Sequence, residues 1–326
     1  MYADVSFTVS LIMIVSGLWL LTWSANRFVD GAAALSQKFG VPPFIIGMVV
    51  IGFGTSAPEM AVSALSAASG HSDLSLGNAY GSNIYNIAII LGVVAMIRPI
   101  LTNSFTAITS AILLVGVSLL SGFLVWSGGG FSRMDAMLSL LAFAVLLPIS
   151  CSLERKNNVS AQEPAAEVTP VKHPVLWSLL GLILLVGSSH FLVWGAVDIA
   201  RAFGISELMV GLTIVAAGTS LPELASAIAS ARKGQNEFVM GNIVGSNFFN
   251  TLAVVGVSGL VSPFSCNGGH VLSRDLWVMV ILSAMIAIFG CSFSRQKGGV
   301  IGRAKGMVWI IIFIAYFALL FVQEHR

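Results

Sequence analysis

The sequence contains few charged residues. Only 9% of its 326 residues are Asp, Glu, Lys or Arg, whereas roughly a quarter are charged in an ordinary soluble domain. Hydrophobic residues make up 56% of the chain, and the mean hydropathy is +0.93. No stretch is both polar and long enough to form a separate water-soluble domain, which excludes a soluble enzyme and a receptor with a single anchor. The composition predicts a polytopic protein of the lipid bilayer.

An excess of charge of either sign is also missing. Lys and Arg number 16 against 14 Asp and Glu, for a net charge of +2, so there is no basic field that would attract nucleic acid. Cysteine is scarce, and Cys151, Cys266 and Cys291 are an odd number without CxxC spacing. This argues against a disulfide framework and a zinc or iron–sulfur site. We interpret the cysteines as packing residues and predict neither a cofactor nor a protein partner.

The positively charged start of a cleavable signal peptide is a further absence. Arg27 is the first basic residue, and it follows the first apolar segment, whereas a signal peptide begins with a basic region. We therefore expect the first apolar segment to be a retained spanning helix.

Long apolar segments dominate the chain. A bilayer core of about 30 Å needs about 20 apolar residues per helix, and ten segments approach this length, which predicts an all-α membrane protein. One long polar stretch, residues 153–173, is interpreted as a cytoplasmic linker between a first repeat at 1–152 and a second at 174–326. The predicted spans are Val5–Ala25, Ile45–Ala68, Leu74–Ile97, Ala107–Val125, Met134–Ser150, Pro174–Ala200, Leu208–Ala231, Phe238–Val261, Leu276–Cys291 and Met307–Val322.

The positions of the basic residues predict the orientation, because Lys and Arg are retained on the cytoplasmic side. With the N-terminus outside, the cytoplasmic connections hold eleven Lys and Arg residues and the outside connections hold four. Both termini are therefore expected outside the cytoplasm. The compact size favours a prokaryotic inner membrane.

The two halves carry the same motifs. Residues 39–99 align with residues 203–263 at a constant offset of 164 and without a gap. Gly-Thr-Ser-x-Pro-Glu ends at Glu59 and at Glu223, and Gly-Asn-x-x-Gly-Ser-Asn-x-x-Asn ends at Asn86 and at Asn250. The motif regions are thus 52–86 and 216–250. Because each half has five spans, an odd number, the second copy must enter the membrane from the opposite side. Such inverted repeats are typical of transporters.

Glu59 and Glu223 lie inside apolar segments without a Lys or Arg nearby in sequence. An ionised group near the bilayer centre costs several kcal/mol unless it is paired, so we expect a cation to pair with them. Each Glu follows a proline, which tends to break the helix. Carbonyl groups freed by the break can then face a cavity and supply hard oxygen ligands.

A purely structural role is the alternative for these motifs. Ser56-x-x-Glu59 and Ser220-x-x-Glu223 both fit a capping box, with serine at the N-cap of a helix. We expect this capping to occur. It does not explain a carboxylate in hydrocarbon twice, because glutamine could make the same hydrogen bond without the charge.

Polar residues also recur at helical spacing. Asn78, Ser82 and Asn86 are four residues apart, and Asn242, Ser246 and Asn250 repeat the pattern, so each set predicts a polar stripe on one helix face. Hydrogen bonding between helices is an equally good explanation for Asn78 and Asn242, and likewise for Asn83 and Asn247. The remaining four are expected to face the breaks that carry the glutamates.

The predicted donors are all oxygen atoms, which suits hard cations such as Ca²⁺ and Na⁺. His, Cys and Met are absent from the Gly-Thr-Ser-x-Pro-Glu and Gly-Asn-x-x-Gly-Ser-Asn-x-x-Asn motifs themselves, which argues against Zn²⁺, Cu⁺ and iron. Two carboxylates carry a charge of −2 and balance one divalent ion. Exchanging that ion for three Na⁺ would move charge, whereas exchanging it for two would not.

In these motifs the chain resembles the sodium/calcium exchanger branch of the calcium/cation antiporter superfamily, in its small prokaryotic form. The paired motifs GTSAPE…GNAYGSNIYN and GTSLPE…GNIVGSNFFN carry the resemblance, which covers nearly the whole chain. It implies a transporter that exports Ca²⁺ in exchange for Na⁺ by alternating access, with the first and sixth helices sliding across a rigid core. Arg27, Asp30, Asp198 and Arg201 would then lie near the moving boundary, unless they are interfacial anchors.

The resemblance also implies roles for individual residues. Ca²⁺ would be bound by Glu59 and Glu223 with oxygens from Thr55 and Thr219. Na⁺ would use Ser82 and Ser246 together with the carbonyl groups of Gly52 and Ala216. The same site region includes Ser56, Ser220, Asn86 and Asn250.

Other functions remain open at this point. Exchange of Ca²⁺ or another divalent cation for H⁺ could use the same site, although proton-coupled relatives typically carry an acidic residue where both halves here have Gly-Ser-Asn-x-x-Asn. Asn250 stands where some family members have Asp, which removes one titratable group. A membrane enzyme is disfavoured because neither motif contains a His to act as a base. A channel would need a continuous pore rather than one shared charged site.

Overall fold

The computed structural model describes residues 7–68, 72–158, 171–203, 216–265, 271–291 and 299–324. The described chain is almost entirely helical. Its α-helices are α1 (Phe7–Phe39), α2 (Pro43–Ile46), α3 (Phe53–Thr55), α4 (Ala57–Ala68), α5 (Ser72–Tyr85), α6 (Gly92–Ile97), α7 (Ser104–Ser127), α8 (Arg133–Asn158), α9 (Pro174–Ala202), α10 (Ala216–Thr219), α11 (Leu221–Arg232), α12 (Asn236–Phe249), α13 (Val255–Val261), α14 (Leu276–Gly290) and α15 (Arg303–Glu324).

Four π-helical segments interrupt or precede these α-helices, at Gly47–Gly52, Asn86–Leu91, Asn250–Val254 and Val271–Asp275. The sequence analysis did not predict them. Two begin at the last asparagine of the repeated motif, Asn86 and Asn250. A π-helical turn is rare and is frequently found at a functional site. Its recurrence at equivalent positions therefore indicates a candidate functional region in both halves.

Eight described helices are long and apolar enough to cross a membrane, and a ninth span forms if Pro43–Thr55 and Ala57–Ala68 count as one helix bent by 43°. Nine of the ten predicted spans therefore have a helical counterpart. The remaining predicted span, Leu208–Ala231, is the seventh along the chain and lies partly outside the described residues. Its described end contains α10 and α11, which meet at Ser220.

One predicted helix boundary is wrong. The first helix does not end at Ala25 but continues to Phe39. No proline and no glycine with a positive φ interrupts the helix before Gly40, which adopts a φ of +60° and ends it. Helix α8 continues to Asn158, past the predicted start of the linker at residue 153, and the bounds of the linker stay a prediction. Arg155 and Lys156 favour this extension, because cations stabilise the C-terminal end of a helix.

The first and sixth predicted spans, α1 and α9, pack against each other as an antiparallel pair. A side chain added at Gly195 would meet the Ser10 carbonyl at 2.6 Å, and one at Gly181 would meet the Phe28 backbone at 2.7 Å. The glycines therefore allow the two helices to approach closely, as small residues do in membrane proteins. Lys233, just beyond α11, forms a 2.7 Å ion pair with Asp30 of α1. Asp30 is thus linked to the core helices that follow α11.

A second close contact joins the two halves at the centre. The π-helical turn Gly47–Gly52 packs on α12 with almost no side-chain volume between the backbones. A Cβ at Gly52 would meet the Ser246 nitrogen at 2.8 Å, and one at Gly245 would meet the Met48 Cα at 2.7 Å. We call the four glycines at this contact, Gly47, Gly52, Gly241 and Gly245, the glycine seam. The seam places the first motif directly against the second.

Short strands and basic side chains connect the halves at the ends of the bundle. Strand β1 (Ile100–Thr102) pairs antiparallel with β4 (Gly299–Ile301), and β2 (Gly130–Phe131) pairs with β3 (Phe264–Ser265). On the β1 side, Arg98 donates to the Arg232 carbonyl at 3.1 Å, and Arg303 donates to the Met96 carbonyl at 3.2 Å. Several basic residues predicted to be cytoplasmic therefore gather at one end.

The glycine seam leads to a prediction about stability. Gly245→Ala should lower the free energy of unfolding by about 1–3 kcal/mol, because the new methyl group would press on the Met48 backbone and force the helices apart. Gly116→Ala in α7 is the matched control, since its Cβ would meet nothing within 4 Å and alanine favours a helix. Thermal unfolding of both variants in detergent measures the difference. Equal stabilities would contradict the close packing of the seam.

Candidate ion-binding site

Glu59 and Glu223 occupy equivalent places in the two halves. Each lies in the first turn of a helix, α4 or α11, immediately after proline, and each is completely buried. The chain bends by 43° at the break that precedes α4. Pro222 has no N–H for the Gly218 carbonyl four residues before it, and this carbonyl accepts from the Ser189 hydroxyl at 2.8 Å instead. Ser189 lies outside the motifs, and the sequence analysis did not identify it.

Ser56 and Ser220 each form a hydrogen bond with the glutamate of the other half. The Ser56 hydroxyl donates to Oε1 of Glu223 at 3.2 Å, and the Ser220 hydroxyl donates to Oε1 of Glu59 at 3.1 Å. The predicted capping boxes are therefore wrong. Both serines do stand at helix starts, because their carbonyls accept from Met60 and Leu224. Their hydroxyl groups, however, reach the glutamate of the other half rather than their own helix.

The second oxygen of each carboxylate has no partner. Oε2 of Glu59 and Oε2 of Glu223 are buried and make no hydrogen bond with any described residue. No Lys, Arg or His in the described part of the chain forms an ion pair with either glutamate. The two carboxylates also repel each other. Because a buried charge requires compensation, this arrangement suits a cation placed between them.

Neutral oxygen donors surround the Glu223 carboxylate. The hydroxyls of Thr55 and Ser246 face it together with that of Ser56. Ser246 Oγ donates to the Gly52 carbonyl at 3.2 Å, and Thr55 Oγ1 donates to the Ile51 carbonyl at 3.0 Å. The structure thus brings Thr55, Ser246 and Gly52 together beside Glu223, and the binding of an ion by them stays a prediction. Glycine is needed at Gly52 because of the close approach of α12.

Asn78 and Asn242 support the helices that carry the glutamates. Asn78 Nδ2 donates to the Glu59 carbonyl at 3.4 Å and to the Ser63 hydroxyl at 2.9 Å. Asn242 Nδ2 donates to the Glu223 carbonyl at 3.2 Å and to the Ser226 hydroxyl at 2.9 Å. These are the hydrogen bonds between helices that the sequence analysis kept as an alternative. They fix the backbone at the two glutamates.

Hydrogen bonds connect three further asparagines near the start of the π-helical turns. Asn86 Nδ2 donates to Asn247 Oδ1 at 3.0 Å, and Asn247 Nδ2 donates to the Asn83 carbonyl at 3.2 Å. Asn83 Nδ2 donates to the Thr251 hydroxyl at 2.7 Å. Thr251 was not predicted, because the equivalent position of the first half is Ile87. Neither amide atom of fully buried Asn250 has a partner among the described residues.

The other predicted site residues are in less defined positions. Ser82 and Thr219 are buried, and Ala216 is the first residue of α10. The described residues contain no group of three or more His, Cys, Asp or Glu that could hold a metal ion. A cation here would instead be held by two carboxylates supplemented with hydroxyl, amide and carbonyl oxygens, a donor set typical of Ca²⁺ and Na⁺.

The fold and this buried two-carboxylate site define an ion-transporting membrane protein. A family model described as sodium/calcium exchanger protein matches residues 9–151 and 173–322. The chain therefore belongs to the sodium/calcium exchanger family, whose members are transporters. The family resemblance found in the sequence is confirmed.

Relatives of similar length support this assignment. The chain is 40% identical to CaxA, a protein of Alkalimonas amylolytica named as a candidate antiporter, over 96% of this chain and 99% of the relative. It is 37% identical to the inner membrane protein YrbG of Escherichia coli over 95% and 96%. Among solved structures, the sodium-calcium exchanger NCX_Mj matches with a TM-score of 0.81 and 28% identity, over 95% of this chain and 98% of that one.

The crossed hydrogen bonds can be tested with double-mutant cycles. Combining Ser56→Ala with Glu223→Gln should show a coupling of about 0.5–3 kcal/mol in the free energy of unfolding, since the two side chains are in contact. The same coupling is expected for Ser220→Ala with Glu59→Gln. The control cycle combines Ser56→Ala with Glu59→Gln, the pair that a capping box would couple, and should show weaker coupling because these two residues interact only through Glu223. Stronger coupling in the control cycle would restore the capping box.

Proposed function

We propose that this protein is a secondary antiporter that exports Ca²⁺ in exchange for Na⁺. The observation that carries the proposal is the crossed pair of glutamates. Each carboxylate is buried, holds one serine hydroxyl of the other half, and leaves its second oxygen without a partner in the described structure. Two negative charges that lack a cationic partner among the described residues favour a transported cation as their partner.

The charges and donor atoms favour Ca²⁺ as one substrate. Glu59 and Glu223 would coordinate it together with oxygens of Thr55 and Thr219, and their charge of −2 would be neutralised. Na⁺ would occupy overlapping positions near Ser82 and Ser246 and the carbonyl groups of Gly52 and Ala216. Ser56, Ser220, Asn86 and Asn250 would complete the polar surroundings.

The contact between Ser246 and Gly52 supports the proposed Na⁺ position. The Ser246 hydroxyl donates its one proton to the Gly52 carbonyl at 3.2 Å, which leaves the lone pairs of that hydroxyl available to a cation. The carbonyl of Gly52 belongs to the π-helical turn and lies on the glycine seam, close to the Glu223 side of the site. An ion at this place would have oxygen donors from both halves.

Alternating access would arise from motion of α1 and α9 relative to the core. In this proposal residues 1–152 and 174–326 are inverted repeats of five spans, each with its motif at 52–86 or 216–250. The long antiparallel contact between α1 and α9 supports their motion as a pair. Their glycines pack the two helices tightly against each other, and the Lys233–Asp30 ion pair is a contact with the core that can be exchanged during sliding.

The orientation with both termini outside the cytoplasm belongs to the same proposal. The contacts of Arg98 with the Arg232 carbonyl and of Arg303 with the Met96 carbonyl support one common end for these basic residues. Under the rule that Lys and Arg remain inside, this end is cytoplasmic. A prokaryotic inner membrane is the compartment we propose.

The role of the glutamates can be tested by Ca²⁺ flux. Glu59→Gln and Glu223→Gln should each reduce Na⁺-driven Ca²⁺ uptake into liposomes to the level of protein-free liposomes, because each removes one of the two compensating charges. Asp135→Asn is the matched control, since it removes a carboxylate at the first turn of α8, outside the site, and should retain uptake. Retention of full flux by either glutamine variant would refute the proposed site.

The coupling ion can be identified with sodium-loaded liposomes diluted into Na⁺-free buffer containing Ca²⁺. We expect Ca²⁺ to enter only when the Na⁺ gradient is present, and an imposed voltage should change the rate if more than two Na⁺ move per Ca²⁺. Liposomes with a pH gradient alone serve as the parallel condition. Uptake driven by this pH gradient without Na⁺ would replace the proposal with Ca²⁺/H⁺ exchange.

A further inference from the structure

A groove between α7 and α8, away from the ion-binding residues, contains two buried polar side chains among apolar ones. The groove is a cavity of about 380 Å³ with predominantly apolar walls. Its walls include Leu113 and Val117 of α7 and Leu146 and Leu153 of α8, and Met48 and Val244 of the central helices form its floor. A cavity of this kind is shaped to receive a hydrocarbon chain.

Glu154 lies at the edge of this groove. Its side chain is buried, with only 3% of the residue exposed, and Oε2 accepts from the Thr106 hydroxyl at 3.1 Å. Oε1 lies 3.0 Å from the Thr109 hydroxyl, but the single proton of Thr109 is also within reach of the Phe105 carbonyl at 2.8 Å. In the described part of the chain Glu154 forms no ion pair. Its negative charge is therefore only partly compensated.

Ser110 is a second polar group in the same groove without a partner. It is 2% exposed, it lines the cavity, and its hydroxyl makes no hydrogen bond with the residues that the structure describes. A buried hydroxyl without a partner is unfavourable. Glu154 and Ser110 together offer acceptors to a ligand that carries N–H donors.

The groove therefore presents a buried carboxylate and a buried hydroxyl without a partner beside apolar walls. A ligand that fits this arrangement has a cationic group with N–H donors for the carboxylate and an apolar tail for the cavity. We propose that the groove binds a phospholipid with a primary-amine headgroup, with its ammonium group on Glu154 and an acyl chain along the cavity.

The chemistry of the headgroup provides the discrimination. A primary ammonium has three N–H donors, which can be shared between the Glu154 carboxylate and the Ser110 hydroxyl. The quaternary ammonium of a choline headgroup has no N–H donor, and a glycerol headgroup has no positive charge. Phosphatidylethanolamine should therefore bind in preference to phosphatidylcholine and phosphatidylglycerol with the same acyl chains.

Native mass spectrometry of the purified full chain can measure this preference. The protein is incubated in detergent with equal amounts of palmitoyl-oleoyl phosphatidylethanolamine, phosphatidylcholine and phosphatidylglycerol, and the retained lipids are counted. We expect about a tenfold preference for phosphatidylethanolamine, as one charge-assisted contact would give. Glu154→Gln should abolish the preference, whereas Asp135→Asn at the other end of α8 should keep it.

A second variant tests the cavity independently of the charge. Gly116 lines the groove, and a Cβ there would meet nothing within 4 Å, so Gly116→Leu should fold and occupy the space of the acyl chain. It should reduce retention of phosphatidylethanolamine. Gly187→Leu is its control, because Gly187 is equally open but belongs to α9 outside the groove.

Three results would overturn the proposal. The first is equal retention of the three lipids by the unchanged protein, and the second is an undiminished preference in Glu154→Gln. The third is undiminished retention in Gly116→Leu, and this result decides the matter if Glu154→Gln does not fold. Circular dichroism and thermal unfolding establish whether each variant folds. Because no step uses Ca²⁺ or Na⁺, the outcome is independent of the proposed exchange.

Discussion

The constraint on which the structure depends is the burial of two like charges in an apolar bundle. Glu59 and Glu223 are fully buried, and no cationic side chain of the described residues pairs with them, so each depends on a neutral donor and, in the proposed function, on a transported cation. The neutral donors come from the opposite half, through Ser220 and Ser56. The site is therefore a property of the interface between the halves, and neither half contains it alone.

The rest of the core can be understood as support for this interface. The glycine seam removes side chains where the first motif meets α12, so that Gly52 and Ser246 come within hydrogen-bonding distance. Asn78 and Asn242 hold the backbone at the two glutamates through equivalent hydrogen bonds. In the proposed transport cycle, the backbone held at the glutamates belongs to the part that binds the ion, and the closely packed pair of α1 and α9 is the part that moves.

The sequence predicted the features that depend on local composition. Apolar length revealed nine described spans, because a bilayer sets a minimum helix length, and the repeated motif identified both glutamates. The sequence did not predict the hydrogen-bond partner of a polar side chain that has more than one possible partner. The spacing of Ser56 and Glu59 is correct for a capping box, yet the hydroxyl donates to Glu223, which is 167 residues away. Sequence spacing could not show this choice, nor the π-helical turns or the continuation of α1 to Phe39.

The distance along the chain between crossed partners has a consequence during biosynthesis. Ser220 follows Glu59 by 161 residues, so at about 5–20 residues per second the ribosome needs on the order of ten seconds or more to supply it. During that interval the first half has neither its serine donor nor strand β4 to pair with β1. Until the second half is synthesised, Glu59 of the nascent first half must therefore be protonated, hydrated or bound to a cation from solution. Its carboxylate reaches its final surroundings only when the second half inserts.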